Sequence, residues 1–188
     1  MRITMRMCML TAAVVVATAF AVPAAPAAET FTATASLKSP QANATAPVKI
    51  TIDRFVSAAD REHILGIVKS NDAAATQKAL AGMTDVGFIE VGKGKTAIKY
   101  AYATPSGDGR LITVVTAAPI AFVGGSAVKP KPREGFGLGL ALLVVDGAGK
   151  GEGEISPATK IKTDEKGAIV TQDYSGETIH LTGISKTK

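Results

Sequence analysis

The stretch DVGFIEVGKGKTAIKYAYA, residues 85–103, decides between two kinds of fold. Its glycine-lysine centre invites comparison with the phosphate-binding pattern G-x-x-x-x-G-K-[ST], which opens a helix. The pattern fails in both frames, because Gly94 occupies the Ser/Thr position of one and Ile89 the first glycine position of the other. Residues 96–104 then alternate at the period of a strand. We therefore predict a β-hairpin with its turn at residues 92–95, and no nucleotide site.

Downstream of this hairpin, apolar segments alternate with turn residues. The segment at residues 111–115 is apolar on both faces, as expected of a central strand. Short segments separated by glycine-rich turns favour an antiparallel meander. The predicted strands after Met83 are residues 86–91, 96–104, 109–117, 135–145, 155–161, 168–171 and 178–184.

Upstream, the period changes from strand to helix. Residues 48–52 alternate apolar and polar side chains, which predicts a strand. Ser57 and Asp60 then form a plausible capping box at the start of one helix. Asp72 can cap a second helix that stops at Gly82. The predicted fold class is therefore α+β: an antiparallel, meander-rich sheet with a helical hairpin packed on one face.

The amino terminus has the pattern of an export signal, predicted as residues 1–28. Two arginines precede an uncharged apolar stretch at residues 7–22, and small residues follow, with cleavage expected after Ala27 or Ala28. An uncleaved anchor is the alternative. Cleavage would remove Cys8, the one cysteine, which excludes disulfides, thiol nucleophiles and cysteine-bound metals from the mature chain. We expect a periplasmic or secreted protein with no membrane span after cleavage.

The remaining chain suits a single domain. Residues 29–46, rich in Ala, Thr, Ser and Pro, predict an extended arm with one strand at residues 31–35, and residues 47–188 predict one α+β domain. Loss of both signal-peptide arginines leaves 19 basic against 16 acidic residues, a net charge of +3. The basic residues are scattered and the chain has no Trp, so nucleic acid is not an expected partner.

A row of small residues supplies the candidate ligand groove. Gly135, Gly137, Gly139 and Ala141 share one face of a predicted strand. A bare face lets another element approach closely, so either tight packing or a bent strand explains the row. The functional alternative is a groove for a flat or extended ligand.

His180 is the candidate catalytic residue of an alternative reading. It lies on the polar face of the last predicted strand, and Asp173 and Glu177 are near enough in sequence to orient it. The chain contains two histidines and lacks the H-x-H and H-E-x-x-H spacings, so no metal is expected. No cofactor is expected, because the chain contains no cofactor-binding motif.

Three stretches resemble a group of small exported bacterial proteins of unknown function: GRLITVVTAAPIAF (109–122), GKGEGEISPATKIK (149–162) and DYSGETIHLTGI (173–184). The resemblance implies an envelope location and assigns no activity and no functional residue. Our leading hypothesis is a non-enzymatic module that binds a small apolar ligand or an envelope partner. The alternative is a cofactor-free hydrolase or isomerase that uses His180 with a nearby carboxylate.

Overall fold

The computed structural model describes residues 28–38, 43–121, 134–174 and 178–187. Apart from residue 28, the predicted signal peptide lies outside these ranges. The elements, in chain order, are β1 (Glu29–Lys38), β2 (Asn43–Ile52), α1 (Ala58–Lys69), α2 (Ala73–Gly82), β3 (Gly87–Val91), β4 (Gly94–Ile98), β5 (Tyr100–Ser106), β6 (Gly109–Thr116), β7 (Leu138–Val145), β8 (Lys150–Thr163), β9 (Ile169–Tyr174) and β10 (Ile179–Thr187).

The strands form one antiparallel sheet that nearly closes on itself. Its order is β4-β3-β2-β1-β10-β8-β7-β6-β5, and β9 pairs with the far half of β8. The first and last strands of this order, β4 and β5, are separated along the chain by Lys99 alone. Because β4 pairs with β3 while β5 pairs with β6, this single bent run brings the two ends of the sheet together. The result is a nearly closed, barrel-like sheet.

The predicted α+β class is wrong. Strand accounts for 57% of the structure and helix for 16%, so the fold is mostly β with two short helices. The sequence reading missed the closure because closure depends on pairings between distant residues. β1 pairs with β10 from Thr30 opposite Thr187 to Ser36 opposite His180. A local sequence pattern cannot predict which distant strand a segment pairs with. Residues 29–38, assigned to an extended arm, form this strand between β2 and β10.

The hairpin interpretation of the glycine-lysine stretch is confirmed. β3 and β4 pair in register from Gly87 opposite Ile98 to Val91 opposite Gly94, with only Gly92 and Lys93 between the strands. Gly92 has a φ of 57°, a conformation in which a glycine avoids the strain that a side chain would create. The predicted strand 96–104 is split at Lys99.

Side chains on the inner face of the sheet form the core. They are almost fully buried, and they come from strands on all sides of the barrel. Such close-packed apolar side chains provide most of the stabilisation through burial. Examples with less than 2% exposure are Phe31, Ile50, Ile112, Leu143 and Ile155.

The two helices cover part of the outer face. Tyr100, Val115 and Leu140 are paired across β5, β6 and β7 on the face opposite the core, yet all three are buried. The Gln77 side chain of α2 reaches the same region and donates to the carbonyls of Ala117 and Gly137 at 3.3 Å each. These strands are therefore apolar on both faces because each face has a cover.

Both predicted helix caps are confirmed. The Ser57 hydroxyl accepts from the Asp60 backbone N–H at 3.1 Å and donates to the Asp60 carboxylate at 2.8 Å. Asp72 accepts from the Ala75 N–H at 2.9 Å. Such caps satisfy N–H groups that have no partner within the helix, each contributing about 1 kcal/mol.

Arg61 holds α1 to the sheet. Its guanidinium donates to the Gly167 carbonyl in the β8–β9 turn at 3.2 Å and lies 4.7 Å from the centre of the Tyr102 ring. Tyr100 lies beneath the same helix, and its burial raises the pKa of its hydroxyl to about 12, against the lowering effect of the nearby Arg61 charge.

An ion cluster closes one end of the barrel. Glu29 at the start of β1 is 8% exposed. Its carboxylate pairs with Arg110 of β6 at 2.7 Å and with Lys186 of β10 at 2.8 Å. The two cations compensate the buried negative charge of Glu29, and the cluster links β1, β6 and β10.

Candidate ligand-binding groove

A groove of about 690 Å³ lies on the outer face of the sheet where the helices no longer cover it. Its floor is formed by Leu111 of β6 and by Leu142 and Val144 of β7. Val144 is 52% exposed, more than any other large hydrophobic side chain in the described ranges. The groove is shallow and open to water along its length, so a bound ligand would remain partly exposed.

The floor arises from the apolar sequence of β7. Leu143 and Val145 point into the core at 1% exposure or less, so the alternate residues Leu142 and Val144 point outward. Nearer the start of the strand, the outward Leu140 is covered and buried. The groove is therefore the uncovered continuation of an outer face that is apolar along the whole strand.

β8 supplies an acidic edge to this floor. Glu154 lies opposite Leu142, and Glu152 lies opposite Val144. Gly151 and Gly153 occupy the alternate positions of β8, and a Cβ at either would collide with a carbonyl oxygen of β7. The glycines thus allow the backbones of β7 and β8 to approach closely, which sets the two carboxylates directly beside the apolar floor.

The acidic residues around the groove differ in whether their carboxylates already have partners within the protein. Asp146 accepts hydrogen bonds from the backbone N–H groups of Ala148 and Lys150, both at 2.9 Å, and so stabilises the β7–β8 turn. Among the side chains that the structure describes, neither Glu152 nor Glu154 takes part in a salt bridge. These two carboxylates remain available to an incoming group.

His180 lies one strand beyond the acidic edge. It is exposed on β10, opposite Ser36 of β1 on one side and Glu154 of β8 on the other. Of the carboxylates assigned to it from sequence, Glu177 and the side chain of Asp173 lie outside the described residues. The sequence reading missed Glu154, because it considered carboxylates near His180 along the chain and not across the sheet.

The small-residue row lies away from this groove. A Cβ at Gly137 would fall 2.6 Å from Oε1 of Gln77, and one at Gly139 would fall 2.6 Å from both Ile120 and Thr116. Ala141 is fully buried. Gly135, with a φ of 83°, borders a depression at the start of α2. A ligand along this row stays a prediction, while the immediate neighbours of Gly137 and Gly139 are side chains of the protein itself.

Across the described ranges 28–38, 43–121, 134–174 and 178–187, no cluster of three or more His, Asp or Glu side chains is arranged to hold a metal ion. No helix within those ranges has the length and apolar character needed to cross a membrane. Comparisons of the chain with protein-family models, with curated proteins and with solved structures find no match.

Proposed function

We propose that the protein is an exported, non-enzymatic binding module that takes a small apolar ligand in the groove above Leu111, Leu142 and Val144. The observation that carries the proposal is the exposure of Val144, at 52%, in the centre of an apolar floor. Covering such a surface stabilises a complex by about 25 cal/mol for each Å² of apolar area removed from water. Leu111 and Leu142 beside it are partly exposed and extend this apolar surface.

The position of His180 supports binding over catalysis. A hydrolase or isomerase would need a pocket that encloses His180 together with a carboxylate. His180 is instead exposed, and the apolar floor at Leu142 lies two strands away, with Glu154 on the strand between them. His180 therefore lies on an open part of the sheet that water can reach, and not in an enclosed catalytic pocket.

Export is the second part of the proposal. β1 begins at Glu29, directly after the predicted cleavage positions, so cleavage there would remove no strand residue. The mature chain would keep the ion cluster that Glu29 forms with Arg110 and Lys186.

The groove is tested with Nile red, an uncharged apolar dye whose fluorescence rises in apolar surroundings. We expect saturable binding that Val144→Thr weakens several-fold, because the hydroxyl keeps the side-chain shape and makes the floor polar. Val170→Thr, the same change on β9 and away from the groove, is the matched control and should bind like the wild type. Urea melts of both variants check that the fold is intact. Equal dye binding by all three proteins, or no binding at all, would contradict the proposal.

A further inference from the structure

We infer that the ligand is a cationic amphiphile, an alkyl chain with an ammonium head, and that Glu152 and Glu154 recognise the head. The inference rests on the proposed function, since it adds a charge to the ligand that the apolar floor would bind. It is carried by the two carboxylates that border this floor.

The charge around the groove is opposite to that of the whole chain. The full chain carries a net charge of +5, and the chain without the predicted signal peptide, with 19 basic and 16 acidic residues, carries +3. Of the four charged residues lining the groove, three are acidic and only Lys150 is basic. Asp146 is engaged with backbone N–H groups, so Glu152 and Glu154 provide the accessible negative charge. An acidic site on a basic protein selects a cation and repels a carboxylate or phosphate of the same chain length.

The register arranges the groove in two parallel rows across the strands. In one, Glu152 lies opposite Val144, and Val144 lies opposite Leu111. In the other, Glu154 lies opposite Leu142. Strands about 4.8 Å apart place the acidic end and the far apolar end of the first row roughly 10 Å from each other. The groove therefore has a charged end and an apolar end, as an amphiphile has.

The two carboxylates are spaced to share one head group. Residues i and i+2 of a strand lie on the same face, about 6.7 Å apart at their Cα atoms. An ammonium group between Glu152 and Glu154 would contact both while its alkyl chain follows Val144 toward Leu111. Because the apolar floor excludes water from one side, each charge pair is less screened than it would be on an open surface.

The test is displacement of Nile red by three ligands with the same alkyl chain: decyltrimethylammonium, decanol and decanoate, each below its aggregation concentration. On the wild-type protein we expect the ammonium compound to compete about tenfold more strongly than decanol, as two partly exposed ion pairs allow. Decanoate should be the weakest. Raising the salt concentration should weaken the ammonium compound and leave decanol unchanged.

The decisive variant is Glu152→Gln/Glu154→Gln, with Glu90→Gln/Glu165→Gln as a control of equal charge change on β3 and in the β8–β9 turn. The first variant should lose the preference for the ammonium compound and keep its affinity for decanol, while the control keeps both. Equal competition by all three ligands on the wild type, or an unchanged preference in the first variant, would overturn the inference and leave the apolar groove standing. Failure of Nile red and of every ligand to bind would overturn the proposed function and this inference together.

Discussion

Glu29 and Arg110 form an ion pair across the mouth of the barrel, with 2.7 Å between a carboxylate oxygen and Nη2. Their strands are not neighbours: β10, β8 and β7 separate them on one side, and β2, β3 and the β4–β5 run on the other. The pair therefore links strands on opposite sides of the barrel. Nζ of Lys186, on β10, lies 2.8 Å from the other carboxylate oxygen of Glu29.

Replacing Glu29 should open this end of the barrel. Glu29→Gln leaves two cations without their partner, and because Arg110 and Lys186 retain 29% and 39% side-chain exposure, water can compensate them in part. We expect a loss of about 1–3 kcal/mol in the free energy of unfolding, measured by urea denaturation. Glu165→Gln, at an exposed turn position, should change it by less than about 0.5 kcal/mol. Equal midpoints for the two variants would show that the cluster does not stabilise the fold.

Alkaline conditions should destabilise the protein partly through Tyr100. Burial raises the pKa of Tyr100 to about 12, above the ordinary value of 10.0 that it regains on unfolding. Between these pH values the unfolded chain releases the proton first, so the free energy of unfolding falls as the pH rises. Tyr100→Phe removes this group from the titration. Urea melts at pH 8 and pH 11 should show a smaller loss of stability for the variant, and parallel losses would contradict the assignment.

The glycines near β7 should differ in their tolerance of a Cβ. At Gly139 it would fall 2.6 Å from Ile120 and from Thr116, so Gly139→Ala should destabilise by about 1–3 kcal/mol. Gly147 has no neighbour within 4 Å, so Gly147→Ala should be neutral or slightly stabilising. Gly137→Ala should lie between them, because it displaces the Gln77 amide from two carbonyls. Thermal and urea melts give the order, and a Gly139→Ala variant as stable as the wild type would contradict this close packing.

Export should leave a shortened chain. Expressed in a Gram-negative host, the protein is expected in the periplasmic fraction with residue 28 or 29 at its amino terminus, because the charged, apolar and small-residue regions occur in the order of a signal peptide. Amino-terminal sequencing identifies the cut. A folded, exported protein that still begins with Met1 would refute cleavage.

Local signals in the sequence predicted the elements well. The caps at Ser57 and Asp72 depend on residues only three positions apart, and both were correctly identified. Each strand predicted after Met83 has a counterpart, although residues 96–104 divide at Lys99. The closure of the sheet was not predictable in this way, because it follows from the pairing of β1 with β10 and from one bend.

The groove was only partly visible in the sequence. The predicted strand at residues 155–161 left out Glu152 and Glu154, which the structure places on one face of β8. On β7, however, Leu142, Leu143, Val144 and Val145 are all apolar, so alternation cannot tell which pair faces water. That distinction depends on how far the helices extend over the outer face, which is a tertiary property.

The pairing of β1 with β10 also governs when the molecule can fold. Thr187 donates to the carbonyl of Thr30, 157 positions earlier in the chain. Contacts of such sequence separation form slowly, because a very long loop must be ordered before they contribute. β10 has nine residues and lies between β1 and β8. Before it is available, β1 can pair only with β2, and β8 only with β7 and β9. A chain emerging in order from the ribosome thus cannot complete this sheet until β10 has been synthesised.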